Sequence, residues 1–493
     1  MPPKKLSLVL LSCLAGAAAG LSLPHDAGVV ILPMALTVLL WAAAAPCATP
    51  ALQVFGWFFF CLLTSLPWLV WPLASPGEWS FVWALVLLIG LLALHASLYA
   101  LVFAGLGLFK TGMGLRVAVT VFFVEIIRTQ TPLALPWAYI GYSQVDNPIV
   151  RGLFPLGGVF AVSAFVCLWS GVLLSVFKPA HPSPPAPITH AHRRNSLLLL
   201  FALTLLASAT STFTWTSPEG PPIAVRVVHT HLMDSQKYEP AAQASSQQLM
   251  SDLAGQNDVA FTLFPELFLV MPAFQYDKAW RTELVEILAR SGGHLLVGMP
   301  DAIVDGGGRV QGVANAVVHL GPNGKAGSQS KEKLIPFAEQ TLDHALTRAV
   351  FGWFKVLPNA NFSPGAGSPV HTLLVNNVPL GISICSEIAD PFTVHGRSRN
   401  AQLLVNVASE SWIDSPVLNG LMKRAIQARA MEAGKPMLRS SNVGTSGLIT
   451  PSGAIHPTED LHQIVQAQPT SGVTPVVAWL AWWQAISASS TAD

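Results

Sequence analysis

Residues 379–387 read Pro379-Leu380-Gly381-Ile382-Ser383-Ile384-Cys385-Ser386-Glu387, a short apolar run that ends on a thiol. The run Leu380–Cys385 predicts a strand, joined through Asn376-Asn377 to a second strand over His371–Val375 as a hairpin. Cys385 then stands where the strand gives way to a helix or loop, a corner at which a sheet fixes a side chain while leaving it reachable. It is the only cysteine in the polar half of the chain. A lone thiol there forms no intradomain disulfide, and without a CxxC pair nothing points to zinc. Two readings stand side by side: an inert buried cysteine, or a nucleophile.

Similar runs recur at Ile223–His229, Val259–Phe264, His294–Gly298, Val313–Leu320 and Leu403–Val407. Ala241–Leu253, Trp280–Arg290 and Leu418–Ala433 carry helical periodicity instead. Near-continuous apolar strands mixed with helices predict a layered α/β domain with both sheet faces covered. Glu266 follows one such strand in Phe264-Pro265-Glu266, where the proline ends the strand and leaves the carboxylate at its mouth. Lys331 and Lys333 lie two apart in SKEKLIPFAE, on one face if that segment is extended. Alone, each is an ordinary polar residue. Together they suit a thiol, which needs a base and a positive charge to react, and a lysine also stabilises the oxyanion of a tetrahedral intermediate. No Gly-rich phosphate loop or HExxH helix accompanies them, and His294 lacks a partner at metal-ligand spacing.

The first half is of another kind. The chain has 493 residues, 52% hydrophobic and 11% charged, against about 25% charged for a typical soluble domain. Residues 1–215 hold only 9 of the 27 basic and 4 of the 26 acidic residues. Stretches fit to span a bilayer run roughly over 6–22, 28–46, 53–74, 79–109, 113–127, 153–177 and 196–214. The thiols Cys13, Cys47, Cys61 and Cys167 lie in or beside them. A last apolar run, Val473 to Ile486, carries Trp479, Trp482 and Trp483 and suits an interfacial anchor or a span. Lys4, Lys5, Lys110, Arg116, Lys178, Arg193 and Arg194 fall on one side of a seven-span arrangement, and only Arg128 and Arg151 on the other. The positive-inside rule puts the N-terminus in the cytoplasm and the polar half outside it, in the periplasm of a bacterial inner membrane. Residues 131–152 are too polar for lipid and too apolar for an ordinary loop, and Trp137, Tyr139 and Tyr142 suit the headgroup level. Net charge is +1 with no basic tail, so no nucleic-acid partner is implied. The expected domains are a helical membrane bundle at 1–216, a catalytic domain at 217–472 and a C-terminal helix or anchor at 473–493.

The order Glu, Lys, Cys at strand ends resembles the nitrilase, or carbon–nitrogen hydrolase, superfamily. PWAYIGYSQVDNPIV with GLFPLGGVFAV, KEKLIPFAE, and LLVNVASESW with QARAMEAGKPMLRSSNVGTSGLITPSG resemble segments of apolipoprotein N-acyltransferases, its membrane-bound branch. The resemblance implies an α-β-β-α sandwich beside about eight membrane helices. It implies Glu266 as general base, Lys331 as catalytic lysine and Cys385 as nucleophile. Lys333 falls at the family's histidine position. Glu339, Glu387 and Tyr238 match supporting positions, Tyr238 at a tryptophan beside the substrate. Five positions depart from the pattern: Ser386 for tyrosine, Ala338 for glycine, Phe264 for tryptophan and Ser409-Glu410 for Asn-Asp.

The function implied is acyl transfer from a phospholipid, through a Cys thioester, to the N-terminal amine of a diacylglyceryl-cysteine apolipoprotein, by a monomer in membrane lipid with no cofactor or metal. A membrane-tethered amidase with water as acceptor is an alternative, as is a divergent paralogue serving a conjugation system. An inactive assembly component is a third reading. Orientation is testable without any of these. A cysteine introduced at Gly255 is expected to react with a membrane-impermeant thiol reagent from the periplasmic side, and one at Pro185 to stay unlabelled; the reverse pattern overturns the topology.

Overall fold

The computed structural model describes residues 5–74, 81–109, 111–131, 133–177, 189–307, 309–335, 339, 362–365, 372–413 and 415–489. Ala338 and most of the expected cytoplasmic loop from Lys178 to Asn195 lie outside them. The chain divides into two compact units, one of Met1–Val70, Val82–Thr214 and Pro416–Ala428, the other of Trp71–Phe81, Trp215–Ser415 and Arg429–Asp493.

Every apolar stretch of the first half is helical: α1 (Lys5–Ser22), α2 (Gly28–Ala43), α3 (Pro50–Ser65), α4 (Val70–Ala74), α5 (Phe81–Gly105), α6 (Met113–Gln130), α7 (Leu153–Phe177) and α8 (His190–Thr210). By length and composition only three described helices suffice to cross a membrane: α1, α5 with its extension to Leu108, and α7. A fourth is added if Pro50–Ser65 and Pro67–Ala74, bent by 67°, form one broken span. The other expected spans fall short of that test as single helices, for physical reasons. α2 has 16 residues, about 24 Å of helix against a core of about 30 Å. α6 carries Arg116, Glu125 and Arg128, and α8 opens on the polar turn His190-Ala191-His192-Arg193-Arg194.

α1 meets α3 through small residues. Its buried face is Leu8, Ser12, Gly16, Ala19 and Gly20. A Cβ on Gly16 would run into the Trp57 carbonyl, and one on Gly20 into that of Cys61. The helices therefore touch backbone to backbone, the close approach that drives association where lipid supplies no hydrophobic force. Within 131–152 the aromatic rings are not presented at a surface. Tyr139 and Tyr142 are fully buried and Trp137 nearly so. The Tyr139 hydroxyl pairs with Thr129 at 2.7 Å, the Ile140 N–H donates to Glu125 at 2.9 Å, and Trp137 packs edge-on to Trp68. This segment is a plug of the helical unit rather than a headgroup-level belt, because its polar groups find partners inside.

The second unit holds two six-stranded sheets. One runs in the order β13 (His462–Ala467), β2 (Ile223–Val228), β3 (Phe261–Leu263), β4 (Leu295–Val304), β5 (Val310–Gly321), β6 (Gly324–Ser330). The other runs β12 (Ile455–Pro457), β11 (Gly447–Ile449), β10 (Met437–Ser441), β9 (Leu403–Ala408), β8 (Val378–Ile384), β7 (Leu373–Val375). A short pair, β1 (Ser217–Pro218) and β14 (Thr470–Ser471), stands apart. The helices are α9 (Asp234–Lys237), α10 (Pro240–Ala254), α11 (Lys278–Ser291), α12 (Pro391–Ser398), α13 (Pro416–Ala433, in part) and α14 (Pro475–Ser489).

Alternation along the strands builds the layers. Leu296 and Val317 point inward to meet Leu380, Ile382, Ile384, Leu403, Val405 and Leu438 of the other sheet. Leu295, Val297, Ala316 and Val318 point outward onto Met250 and Leu253 of α10 and Leu284 and Leu288 of α11. Sheet faces sheet, with α10 and α11 covering one side and α12 packed on β8 on the other. This is the expected α-β-β-α sandwich. Asn376 and Asn377 both adopt positive φ, 50° and 66°, and close the expected β7–β8 hairpin as a two-residue turn. α14 keeps Trp482 and Trp483 exposed while packing against α12. Its 15 residues reach only about 22 Å, short of a full span on their own.

The small-residue seam is open to test. Gly16→Leu is expected to cost about 1–3 kcal/mol of stability in detergent by forcing α1 off α3, whereas Ala18→Leu, on the exposed face of the same helix, should leave the unfolding midpoint unchanged. Equal midpoints for both variants would contradict the packing described.

Candidate active site

Strand ends deliver the side chains. β3 stops before Phe264-Pro265, and the backbone of Pro265 and Glu266 crosses Gly298 of β4 so closely that a Cβ there would strike the Pro265 carbonyl. Glu266, 3% exposed, is fixed by Asn315 of β5, whose amide donates to its Oε1 at 2.7 Å. The chain leaving β6 reaches Lys331, whose N–H donates to the Asn315 carbonyl at 2.7 Å. Its ammonium is fully buried, 2.7 Å from Glu339 Oε1 and 3.5 Å from Glu266 Oε1. Glu339 is held in turn by the Ile335 N–H at 2.8 Å.

β8 ends at Ile384, and Cys385 turns into a short 3₁₀ segment with φ of 50°. A side chain rarely adopts that left-handed conformation, which costs on the order of 1–3 kcal/mol and is seen where a site over-determines the backbone. The nucleophile candidate is therefore held at a strained corner rather than at a plain strand end.

The charges set the titration. Burial would depress the Lys331 ammonium, but Glu339 and Glu266 more than reverse it and keep the lysine protonated. Burial pushes the Cys385 thiol well above its usual range and Glu266 adds to the effect, while Lys331 opposes it. The resting sulfur is a neutral thiol. Burial also raises the Glu339 carboxyl, against the pull of Lys331.

Glu387 lies two residues past the thiol and is 1% exposed. Its Oε2 accepts the Ile384 N–H at 2.9 Å, and its Oε1 accepts those of Glu332 at 2.8 Å and Lys333 at 3.2 Å. Arg397 of α12 forks onto both oxygens at 2.6 and 3.1 Å and also donates to the Ile382 carbonyl at 2.6 Å. Burial opposes the Glu387 charge, but Arg397 and these donors hold the carboxyl below its ordinary value.

The structure thus gathers Glu266, Lys331, Glu339 and Cys385 and puts Glu387 behind them. Tyr238 is 54% exposed and within electrostatic reach of Glu266. Lys331 and Lys333 do not share a face: Lys333 is exposed and pairs with Asp390, the N-cap of α12. The chain turns after Lys331 because Glu387 captures the next two N–H groups. His294 does have a partner, His319, at 3.0 Å between ring nitrogens. Among the described residues no His, Cys, Asp and Glu are grouped to hold a metal. Asn315 and Arg397 escaped the sequence reading. The signal for Asn315 was a lone amide in the apolar run VANAVV; Arg397 carried none, since GRSRN reads as solvated surface.

Removing Arg397 leaves Glu387 charged and buried, so Arg397→Met is expected to cost about 3–5 kcal/mol in unfolding followed by tryptophan fluorescence. Lys333→Ala removes a half-exposed partner and should cost at most about 1 kcal/mol. Similar losses for the two would refute the anchoring role.

The sequence matches known proteins. The profile described as "Apolipoprotein N-acyltransferase N-terminal domain" matches residues 15–172, and the "Carbon-nitrogen hydrolase" profile matches 225–467. Among similar proteins, the Apolipoprotein N-acyltransferase of Azotobacter vinelandii is 29% identical over 356 residues, 70% of this chain and 66% of that one. Those of Pseudomonas syringae pv. tomato and Methylococcus capsulatus are 28% and 30% identical over 71% and 70% of this chain. These matches cover 68% and 66% of the relatives' own length. On these two successive matches and the fold that carries them, the chain belongs to the apolipoprotein N-acyltransferase family, the membrane-bound branch of the carbon–nitrogen hydrolases.

Proposed function

We propose that this protein transfers an acyl chain from a membrane phospholipid to the N-terminal amine of a diacylglyceryl-cysteine apolipoprotein, by way of a thioester on Cys385. The observation that carries the reading is one chain with both family matches in which Cys385 lies within charge reach of Lys331 and Glu266. The neutral resting thiol decides the order of events. Cys385 attacks the ester carbonyl as Glu266 takes its proton, because a preformed thiolate is disfavoured by burial and the nearby carboxylates. Lys331, kept protonated by Glu339 and Glu266, faces the oxyanion of the tetrahedral intermediate. Collapse breaks the ester C–O bond. The lysophospholipid oxygen leaves with the proton from Glu266, and the acyl group stays on sulfur. The neutral amine of the acceptor then attacks the thioester, loses a proton to Glu266, and the amide departs as the proton returns to Cys385.

The distribution of basic residues supports an inner-membrane protein with this unit on the periplasmic side, where both lipid-anchored substrates are met. All groups the cycle uses belong to one chain, so a monomer suffices.

The test is purified protein with labelled phospholipid. Native enzyme should form a hydroxylamine-sensitive adduct that a lipopeptide amine discharges as an N-acyl product. Adduct formation should stay level from neutral into mildly alkaline pH, because the attacking thiol is neutral throughout that range and Glu266 takes its proton. Cys385→Ser should give no hydroxylamine-sensitive adduct. Lys331→Ala should slow acylation by about 10²–10³-fold, and Lys333→Ala by less than about threefold, its charge being half in solvent. An adduct discharged by water as fast as by amine would favour the hydrolase reading instead.

A further inference from the structure

A second lysine stands one hydroxyl away from the nucleophile. Lys237 closes α9 and is 3% exposed. Its ammonium pairs with Asp234 at 2.6 Å and donates to Ser409 Oγ at 3.2 Å. Ser409 follows β9, and its backbone N–H donates to the Cys385 sulfur. Its hydroxyl also accepts from Asn442 Nδ2 at 3.1 Å and pairs with Ser411 Oγ at 3.0 Å. A serine hydroxyl offers two acceptor sites and one donor. Lys237 and Asn442 occupy the two acceptor sites, so the hydroxyl proton goes to Ser411 and the residue has no rotational freedom left. Asn442 extends the bracket, donating to the Glu266 carbonyl at 2.9 Å and accepting from Thr230 at 2.7 Å. Three loops, after β3, β9 and β10, are thereby pinned around one sulfur.

We infer that Lys237 is a positioning residue for the reaction, acting through Ser409 to hold the N–H that faces the Cys385 sulfur. The inference rests on Cys385 being the nucleophile. A backbone N–H aimed at the sulfur stabilises the thiolate as it forms and the sulfur's charge as a thioester collapses. It does so only if its peptide cannot swing, and an unbraced loop after a strand swings. The ammonium suits this task because it is buried, donates a charge-assisted bond and is itself anchored by Asp234.

The experiment measures the rate at which iodoacetamide alkylates Cys385 in the full-length protein in detergent, read on the Cys385 peptide by mass spectrometry. Lys237→Met should slow alkylation about tenfold, and Lys237→Arg, which keeps a charged donor, should recover most of the rate. Ser409→Ala removes one oxygen and should match Lys237→Met, with the double variant no slower than either. Unfolding midpoints accompany each rate, and Ser409→Ala carries the test if Lys237→Met does not fold. Native rates in Lys237→Met or in Ser409→Ala, or losses that multiply in the double variant, overturn the inference. A native protein that forms no hydroxylamine-sensitive acyl adduct on the Cys385 peptide would refute the nucleophile itself, a separate failure.

Discussion

One buried carboxylate holds the reactive part of the molecule in register. Glu387 accepts N–H groups from Ile384 on one side and from Glu332 and Lys333 on the other, with Arg397 neutralising it from α12. The first of these fixes the strand end that carries Cys385, and the other two fix the chain just past Lys331. A hydrophobic contact is non-directional and would not set two backbones at a defined distance. A carboxylate with four or more donors does, and the low dielectric around it strengthens each bond. The separation of lysine and cysteine, on which the proposed oxyanion chemistry depends, is thus a property of a residue that touches neither reacting atom of that proposal.

The sandwich was legible wherever alternation was clean. Leu295 to Val297 and Ala316 to Val318 switch faces residue by residue, and Asn376-Asn377 announced its hairpin because asparagine tolerates positive φ. β10 was not legible. It reads Met437-Leu438-Arg439-Ser440-Ser441, all five buried, with Arg439 paired to Glu410 and Asn406. A strand whose polar residues find partners only from distant parts of the chain gives no local signal. The same reason hid Arg397 and Lys237: each looks like solvated surface until the fold supplies a partner.

The membrane half taught the opposite lesson. Hydropathy located the described helices, but only three of them pass on length and composition as lone spans, since it scores apolar content and not length after capping or internal charge. Glu125 and Arg128 in α6 are fully buried, and the Ile140 N–H is bonded to Glu125. Charges of this kind mark the face of a helix that meets protein and not lipid; Leu115, Phe123 and Ile127 on the same helix are exposed.

The neutral resting state of Cys385 has a consequence for durability. Peroxides and disulfides attack or are attacked by thiolates, and a thiol that stays protonated is a poor target for either. An enzyme working in an oxidising compartment with an ionised cysteine would be steadily lost to sulfenic acid or mixed disulfides. On the proposed function and periplasmic location, burial, two carboxylates and one lysine instead leave the sulfur chemically quiet until an ester carbonyl stands in front of it. The arrangement gives up some speed of attack and gains a catalyst that survives between turnovers.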